Sequence, residues 1–340
     1  MSVTVHERPG VYASYDAMSA VSGGTAGKTV GVAAAAGGET DGAVLLHSYE
    51  EGAATFGAGS AMAEVLRVLY ANGAGAVYAA AVRGGDYAPA FAALEEIGEI
   101  GVVVCDSTDA AVHAALRESV TAASEAQNER IGIVGALGEE SVSQALERAA
   151  ALNCERMALV CAKGADGVSA AAALAGAVAA SADPSLPLHG TALRAVGMAG
   201  RWSDAEIDSL VRGGVTPVET AGGVTSPVRT VTTRTKTDGA ADTTWRELTT
   251  ILIVDDVIPA VRTALRARFA RSRNNAQTRG AIRSQVIVEL EEKRARERID
   301  SYGAVEVTAV ESDPTACLVR FSFAVTHGLT RIYLTAHITV

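Results

Sequence analysis

Several residue types and patterns that would point to particular chemistries are scarce or missing. Aromatic residues make up only 4% of the 340 positions, so there are few flat platforms on which sugars or bases could stack. The four cysteines, Cys105, Cys154, Cys161 and Cys317, include no C-x-x-C pair, which removes the usual zinc-ribbon and thioredoxin-type spacings. Cys105 and Cys161 end predicted strands and read as small buried hydrophobes, a usage that fits a reducing compartment. Basic residues are outnumbered 29 to 39, for a formal net charge of −10. Such a surface repels phosphate backbones, and no basic stripe interleaved with aromatics offsets it, so nucleic acid is not an expected partner. The longest apolar run, Val168 to Ala180, is alanine-rich, broken by Gly176 and too short to span a bilayer. The opening MSVTVHERPG lacks an apolar h-region, so no signal peptide is expected and the chain reads as cytoplasmic.

Catalytic and cofactor motifs are also missing. No G-x-G-x-x-G joins a predicted strand to a helix, and no G-x-S-x-G elbow occurs. The histidines His6, His47, His113, His189, His327 and His337 form no H-x-H or H-x-x-x-H pair, so no metal site and no cofactor are expected. The nearest approach to a phosphate loop is SGGTAGKT, residues 22–29. Its first glycine should stand where Ser22 is, no buried strand precedes it, and TVGVAAAA after it reads as a strand rather than a helix. A P-loop-like nucleotide-binding α/β protein is the alternative reading that this stretch supports, and a small-molecule-binding α/β module is a third. Asp255-Asp256 could suggest a carboxylate pair, but neighbours on a helix point about 100° apart. They read instead as charges at a helix N-terminus.

What is present is a two-part pattern. Apolar residues make up 49% of the chain and charged residues 20%, as in a soluble globular protein of about two domains. From Thr29 to about residue 181, short apolar runs alternate with helical segments. TVGVAAAA, AVYAAAV, IGVVVCD, IGIVGA and MALVC are predicted strands. Residues 60–71, YAPAFAALEEI, 109–128, 139–152 and 167–181 are predicted helices. That order predicts an α/β fold with a mostly parallel sheet covered by helices. After Pro184 the pattern changes to a helix from Ser203 to Gly213, with a Ser203–Glu206 capping box. Strands VTPVE and PVRTVTTRT follow, then long helices at about 244–271 and 276–299, and strands VEVTAV, CLVRFSFAV and LTRIYLTAHITV. Val254, Val257, Ile258, Val261, Leu265 and Phe269 are expected on one apolar face of the first long helix. Pro259 is expected to kink that helix or to start a second segment. The expected organisation is an extended N-terminal linker arm at 1–22, an α/β core at 23–220 and a smaller α+β C-terminal domain at 221–340.

Both chain ends read as extended strand arms without an obvious partner. At the start, Val3 and Val5 alternate with Ser2, Thr4 and His6. At the end, Ile332, Leu334, Ala336, Ile338 and Val340 fall on one face, and Arg331, Tyr333, Thr335, His337 and Thr339 on the other. Free strands of this kind suit donation to a neighbouring sheet. Arg262, Arg266, Arg268, Arg271 and Arg273 crowd the first long helix, either as a solvated face or as a docking surface for an acidic partner.

PGVY, GVTPVE, VRTVTTRT, WRELTTILIVDDVIPAVRTALRARF, TRGAIRSQVIVEL and the closing VRFSFAVTHGLTRIYLTAHITV occur in that order. Together they resemble contractile tail sheath proteins of bacteriophages and related phage-tail-like injection particles, most strongly from Pro184 onward. The resemblance implies a non-enzymatic subunit of hexameric rings, stacked helically around an inner tail tube and assembled with baseplate and tail terminator proteins. Assembly would take place in the host bacterial cytoplasm, and the product would be a virion tail or a released particle. It implies that Ser2–His6 and Arg331–Val340 add strands to neighbouring subunits, and that a C-terminal helix meets the tube. Arg262, Arg266 and Arg273 are the candidates for that contact. The large inserted outer domains of long family members are lacking, so a compact sheath subunit is expected.

Overall fold

The computed structural model describes residues 27–37 and 42–330. Six strands run parallel: β1 (Thr29–Ala35), β3 (Val77–Val82), β4 (Ile100–Cys105), β5 (Ile131–Gly135), β6 (Met157–Ala162) and β7 (Val215–Ala221). Two antiparallel strands, β2 (Ala43–Leu46) and β8 (Val224–Pro227), close the edges, giving the order β2-β3-β1-β4-β5-β6-β7-β8. The expected mostly parallel sheet is therefore present. The inner strands are continuous apolar runs because both faces are covered; every residue of β6 is buried.

One face packs under α1 (Tyr49–Phe56), α2 (Ala61–Ala71) and α6 (Gly167–Ala180). The other carries α3 (Ala88–Glu95), α4 (Ala110–Glu125), α5 (Val142–Leu152) and α7 (Asp204–Arg212). Most of these helices announce themselves by their caps: Ser60, Asp109, Ser141, Asp166 and Ser203 each accept a hydrogen bond from the first turn. The capping box predicted at Ser203 and Glu206 is formed. Helix α6 is apolar all round and lies against the sheet in backbone contact. A Cβ on Gly167 would sit 1.7 Å from the Ala136 carbonyl oxygen, and one on Gly135 would sit 2.0 Å from that of Gly167. No side chain fits at either position, so α6 comes closer to β5 than an ordinary helix could.

From α6 the chain passes to the opposite face through residues 181–203, which hydrogen-bond along β8. The Gly190 amide donates to the Pro227 carbonyl at 3.0 Å and the Leu193 amide to that of Thr225 at 2.8 Å. The strand predicted over PVRTVTTRT is not formed beyond Pro227. Its Val/Thr alternation imitates a strand, but the threonines bond to loops. The Thr233 hydroxyl donates to the Cys154 carbonyl at 3.0 Å and that of Thr232 to the Trp245 carbonyl at 2.6 Å. Hairpin β7–β8 lies on both sides of residue 220, so the core sheet extends past the boundary expected there.

The C-terminal unit begins with a small hairpin, β9 (Lys236–Thr237) and β10 (Ala240–Ala241), turned at Asp238-Gly239 with φ of 51° and 81°. Helices α8 (Leu248–Phe269) and α9 (Ala276–Ala295) follow. Pro259 lies inside α8, which continues through it without a second start. Helix α8 does not present one apolar face. Leu248, Ile251 and Leu252 enter the core beneath α6, whereas Ile253, Val257 and Val261 join a separate cluster with Val286 and Leu290 of α9. The remaining strands are β11 (Ile299–Tyr302), β12 (Glu306–Val310), β13 (Asp313–Arg320) and β14 (Phe323–Val325). CLVRFSFAV is thus two strands, broken where the Ser322 carbonyl turns to accept from Gly303.

Candidate functional site

The final strands pair in twos: β11 with β14 and β12 with β13, each antiparallel. No residue of β12 or β13 is buried. Among the described residues each ribbon stops at two strands, leaving edges on which backbone donors and acceptors can still pair. Two-stranded ribbons are marginal alone in water. This one leans on α9 and on Asn274, whose amide donates to the Pro314 and Ala316 carbonyls at 2.9 Å.

The three candidate arginines are not gathered on one open surface. Arg262 grips Glu129, before β5, through both of its terminal nitrogens, at 3.1 and 2.5 Å. Burial alone would push Glu129 up, but the hydrogen bond from Arg262 holds its carboxyl below the usual range. Arg266 donates to Gln127, so both arginines pin α8 to the core. Arg273 is exposed, with Arg271, in the turn between α8 and α9. Farther along, Arg279 donates to Asn274 and Arg283 to the Val305 carbonyl. The expected arm residues Ser2–His6 and Arg331–Val340 lie outside the described residues.

Sequence reasoning missed a charge network. Asp255 and Asp256 stand in the middle of α8 and not at its N-terminus, which corrects the expected dipole role. The Asp255 side chain is 1% exposed and is held by both terminal nitrogens of Arg156, at 3.0 and 3.1 Å. Asp256 points the other way, to Lys293 and Arg298, each at 2.7 Å. Lys28, immediately before β1, lines a cavity shared with both aspartates. Burial pushes the Asp255 carboxyl up and the Lys28 ammonium down. Arg156 cannot shed its charge, so the carboxylate it grips remains its counter-ion. Two adjacent carboxylates inside ILIVDDVIPAV were the available signal, because charges in an apolar run need buried partners.

This arrangement differs from a phosphate cradle. Thr29 opens β1, no helix follows Lys28, and the groups around the lysine are carboxylates. Among the described residues, no group of three or more His, Cys, Asp or Glu could hold a metal ion, and no helix is long and apolar enough to cross a membrane.

Two family models match: the phage tail sheath protein central domain over residues 80–233 and the phage tail sheath C-terminal domain over 240–339. Together they span about three quarters of the chain. No curated protein sequence matches. Among solved structures, the helical sheath of the anti-feeding prophage in its contracted state is 15% identical. It has a TM-score of 0.72 and is matched over 98% of this chain and 99% of that one. A chain of the anti-feeding prophage baseplate, six-fold symmetrised, is 16% identical with a TM-score of 0.72, over 99% and 100%. The sheath tail protein from Desulfitobacterium hafniense is 13% identical with a TM-score of 0.66, over 93% and 100%. At such identities the likeness is one of fold.

Proposed function

The chain belongs to the phage tail sheath family, and from that premise we propose that it builds hexameric rings stacked helically around an inner tube, which contract to drive the tube through a target cell envelope. The observation that best supports this is the pair of two-stranded ribbons in the C-terminal unit, whose edges leave room for strands from neighbouring copies. Ser2–His6 and Arg331–Val340, which alternate as strands do, are the proposed donors. Each backbone hydrogen bond contributes about 0.5–1.5 kcal/mol whatever the side chains. Several per arm would keep subunits linked while they rotate and slide. A contact whose rotation does not close generates a helical array.

The partners on this reading are other copies of the chain, the inner tube, and baseplate and terminator proteins, in a virion tail or a released phage-tail-like particle. The chain acts by assembly rather than by catalysis. Arg273, with Arg271 beside it, is the proposed element facing acidic residues of the tube. Arg262 and Arg266 could join only by exchanging Glu129 and Gln127 for tube residues.

Negative-stain microscopy of the full-length protein, beside versions lacking residues 1–20 or 329–340, tests the reading. Long hollow tubes are expected from the full chain with its tube partner, and discrete particles from the truncated ones. A full-length protein that never polymerises, even with the tube, would sink it.

A further inference from the structure

Segments near both ends of the described chain converge on one short connector, residues 181–189 between α6 and α7. Just before it, in the last turn of α6, the Lys28 amide donates to the Ala179 carbonyl at 3.0 Å. Gly27 passes so close that a Cβ there would lie 2.2 Å from the same oxygen. The Lys28 side chain faces a cavity of about 130 Å³ bounded by Ser181, Asp183, Leu186 and Leu188 of the connector and by Asp255 and Asp256 of α8. Midway, Arg298 bridges: one nitrogen bonds Asp256 at 2.7 Å and another donates to the Ala182 carbonyl at 3.2 Å. At the far end, a Cβ on Gly328 would lie 2.6 Å from Cγ and 2.8 Å from Cδ of Pro187. His327 and Thr330 line a second cavity with Pro187 and His189.

The connector is neither helix nor strand, but it is stiff. Asp183 accepts from the Ser185 amide and hydroxyl at 2.9 and 2.7 Å, and the Ser181 hydroxyl donates to the Asp183 carbonyl at 2.9 Å. Pro184 and Pro187 fix two of its φ angles. Such a segment passes displacement along instead of absorbing it.

We propose that residues 181–189 are a mechanical junction, through which part of a pull on the segment before Gly27 reaches the segment after Gly328 by a path beside the one that enters the parallel sheet at Thr29. The route runs from Lys28 through its bond to the Ala179 carbonyl and across the cavity it lines with Asp255 and Asp256, then through Arg298 to Ala182, and along the connector to Pro187 and Gly328. Lys28 is its positioning residue. The coupling lies within one chain and stands apart from whether copies assemble.

Hydrogen exchange followed by mass spectrometry on the full-length chain, with all variants in the same assembly state, tests it. Lys28→Met is expected to raise exchange about tenfold in residues 181–189 and 325–330 while amides of β5 and β6 stay unchanged. Lys28→Arg is expected to restore most of the protection. Coupling is reciprocal, so Gly328→Val should expose the Lys28 amide by a similar factor. This second variant keeps the test open if Lys28→Met fails to fold. An increase confined to residues 27–32, one spread evenly through β5 and β6, or a Gly328→Val variant that leaves the Lys28 amide protected would overturn the junction.

Discussion

Strands β4, β5 and β6 lie between two helical layers with nearly every residue buried, whereas β12 and β13 bury none. The two regions sit in one chain yet satisfy their backbones by different means. In the core each inner strand has a strand on either side, and its apolar residues are covered by α2 and α6 or by α4 and α5. In the C-terminal unit the apolar cluster lies chiefly between α8 and α9, and among the described residues the ribbons carry no further strand on either outer edge. The core is complete within one chain; on the proposed reading the ribbons are completed by other copies.

Substitutions can break that contrast or sharpen it. The largest effect is expected where the two regions are joined. Asp255→Ala strands Arg156 in a buried site, which should cost about 3–5 kcal/mol, read as a fall in the urea midpoint. An unchanged midpoint would mean that the Asp255–Arg156 pair does not hold α8 to the core. Next, Leu159→Ala in β6, fully buried, should cost about 2–5 kcal/mol by the same measurement; a loss far below that range would show the core to be loosely packed. The pH dependence should be milder and should also belong to the core layers. Hydrogen bonds from the Ser203 amide and hydroxyl, then from Lys163, hold Glu206 down to about 2 from 4.5. Its folded value lies below its unfolded one, so its contribution is complete above pH 4.5 and is lost as pH falls toward 2. Glu206→Gln should flatten that limb of a plot of Tm against pH, and an unaltered limb would assign it to other carboxylates. The smallest effect is expected in the ribbon. Leu318 is 40% exposed, so Leu318→Ala should shift the single chain's stability by no more than about 0.5 kcal/mol. A core-sized loss at Leu318 would erase the contrast.

The contrast also marks how far the sequence could be read. Core strands such as MALVC are short apolar runs, and helices such as α7 open on recognisable caps, so both follow from neighbouring residues. The edge strand β2 and helix α1 were not anticipated. AVLL is only four residues long, and the eight-residue α1 buries only Gly52 and Phe56. The partners of the charged residues on α8 were out of reach for a different reason. Asp255 meets Arg156 from 99 positions away and Arg262 meets Glu129 from 133, separations at which no local pattern carries information. The same distance explains why Arg262 and Arg266 read as a solvated or docking face when they in fact hold α8 to the core. The threonines of VRTVTTRT misled in the opposite way, because strand-like alternation was used to bond loops.

Helix α8 gives one of two adjacent carboxylates to each side of the molecule and divides its apolar residues between two clusters. A wall shared in this way leaves no cleavage plane. Prying the C-terminal unit from the core would expose apolar surface and strand buried charge at once, so neither half can swing as a door on the other. Each copy is therefore a single brick, and on the proposed reading a particle built from such bricks changes shape in its mortar.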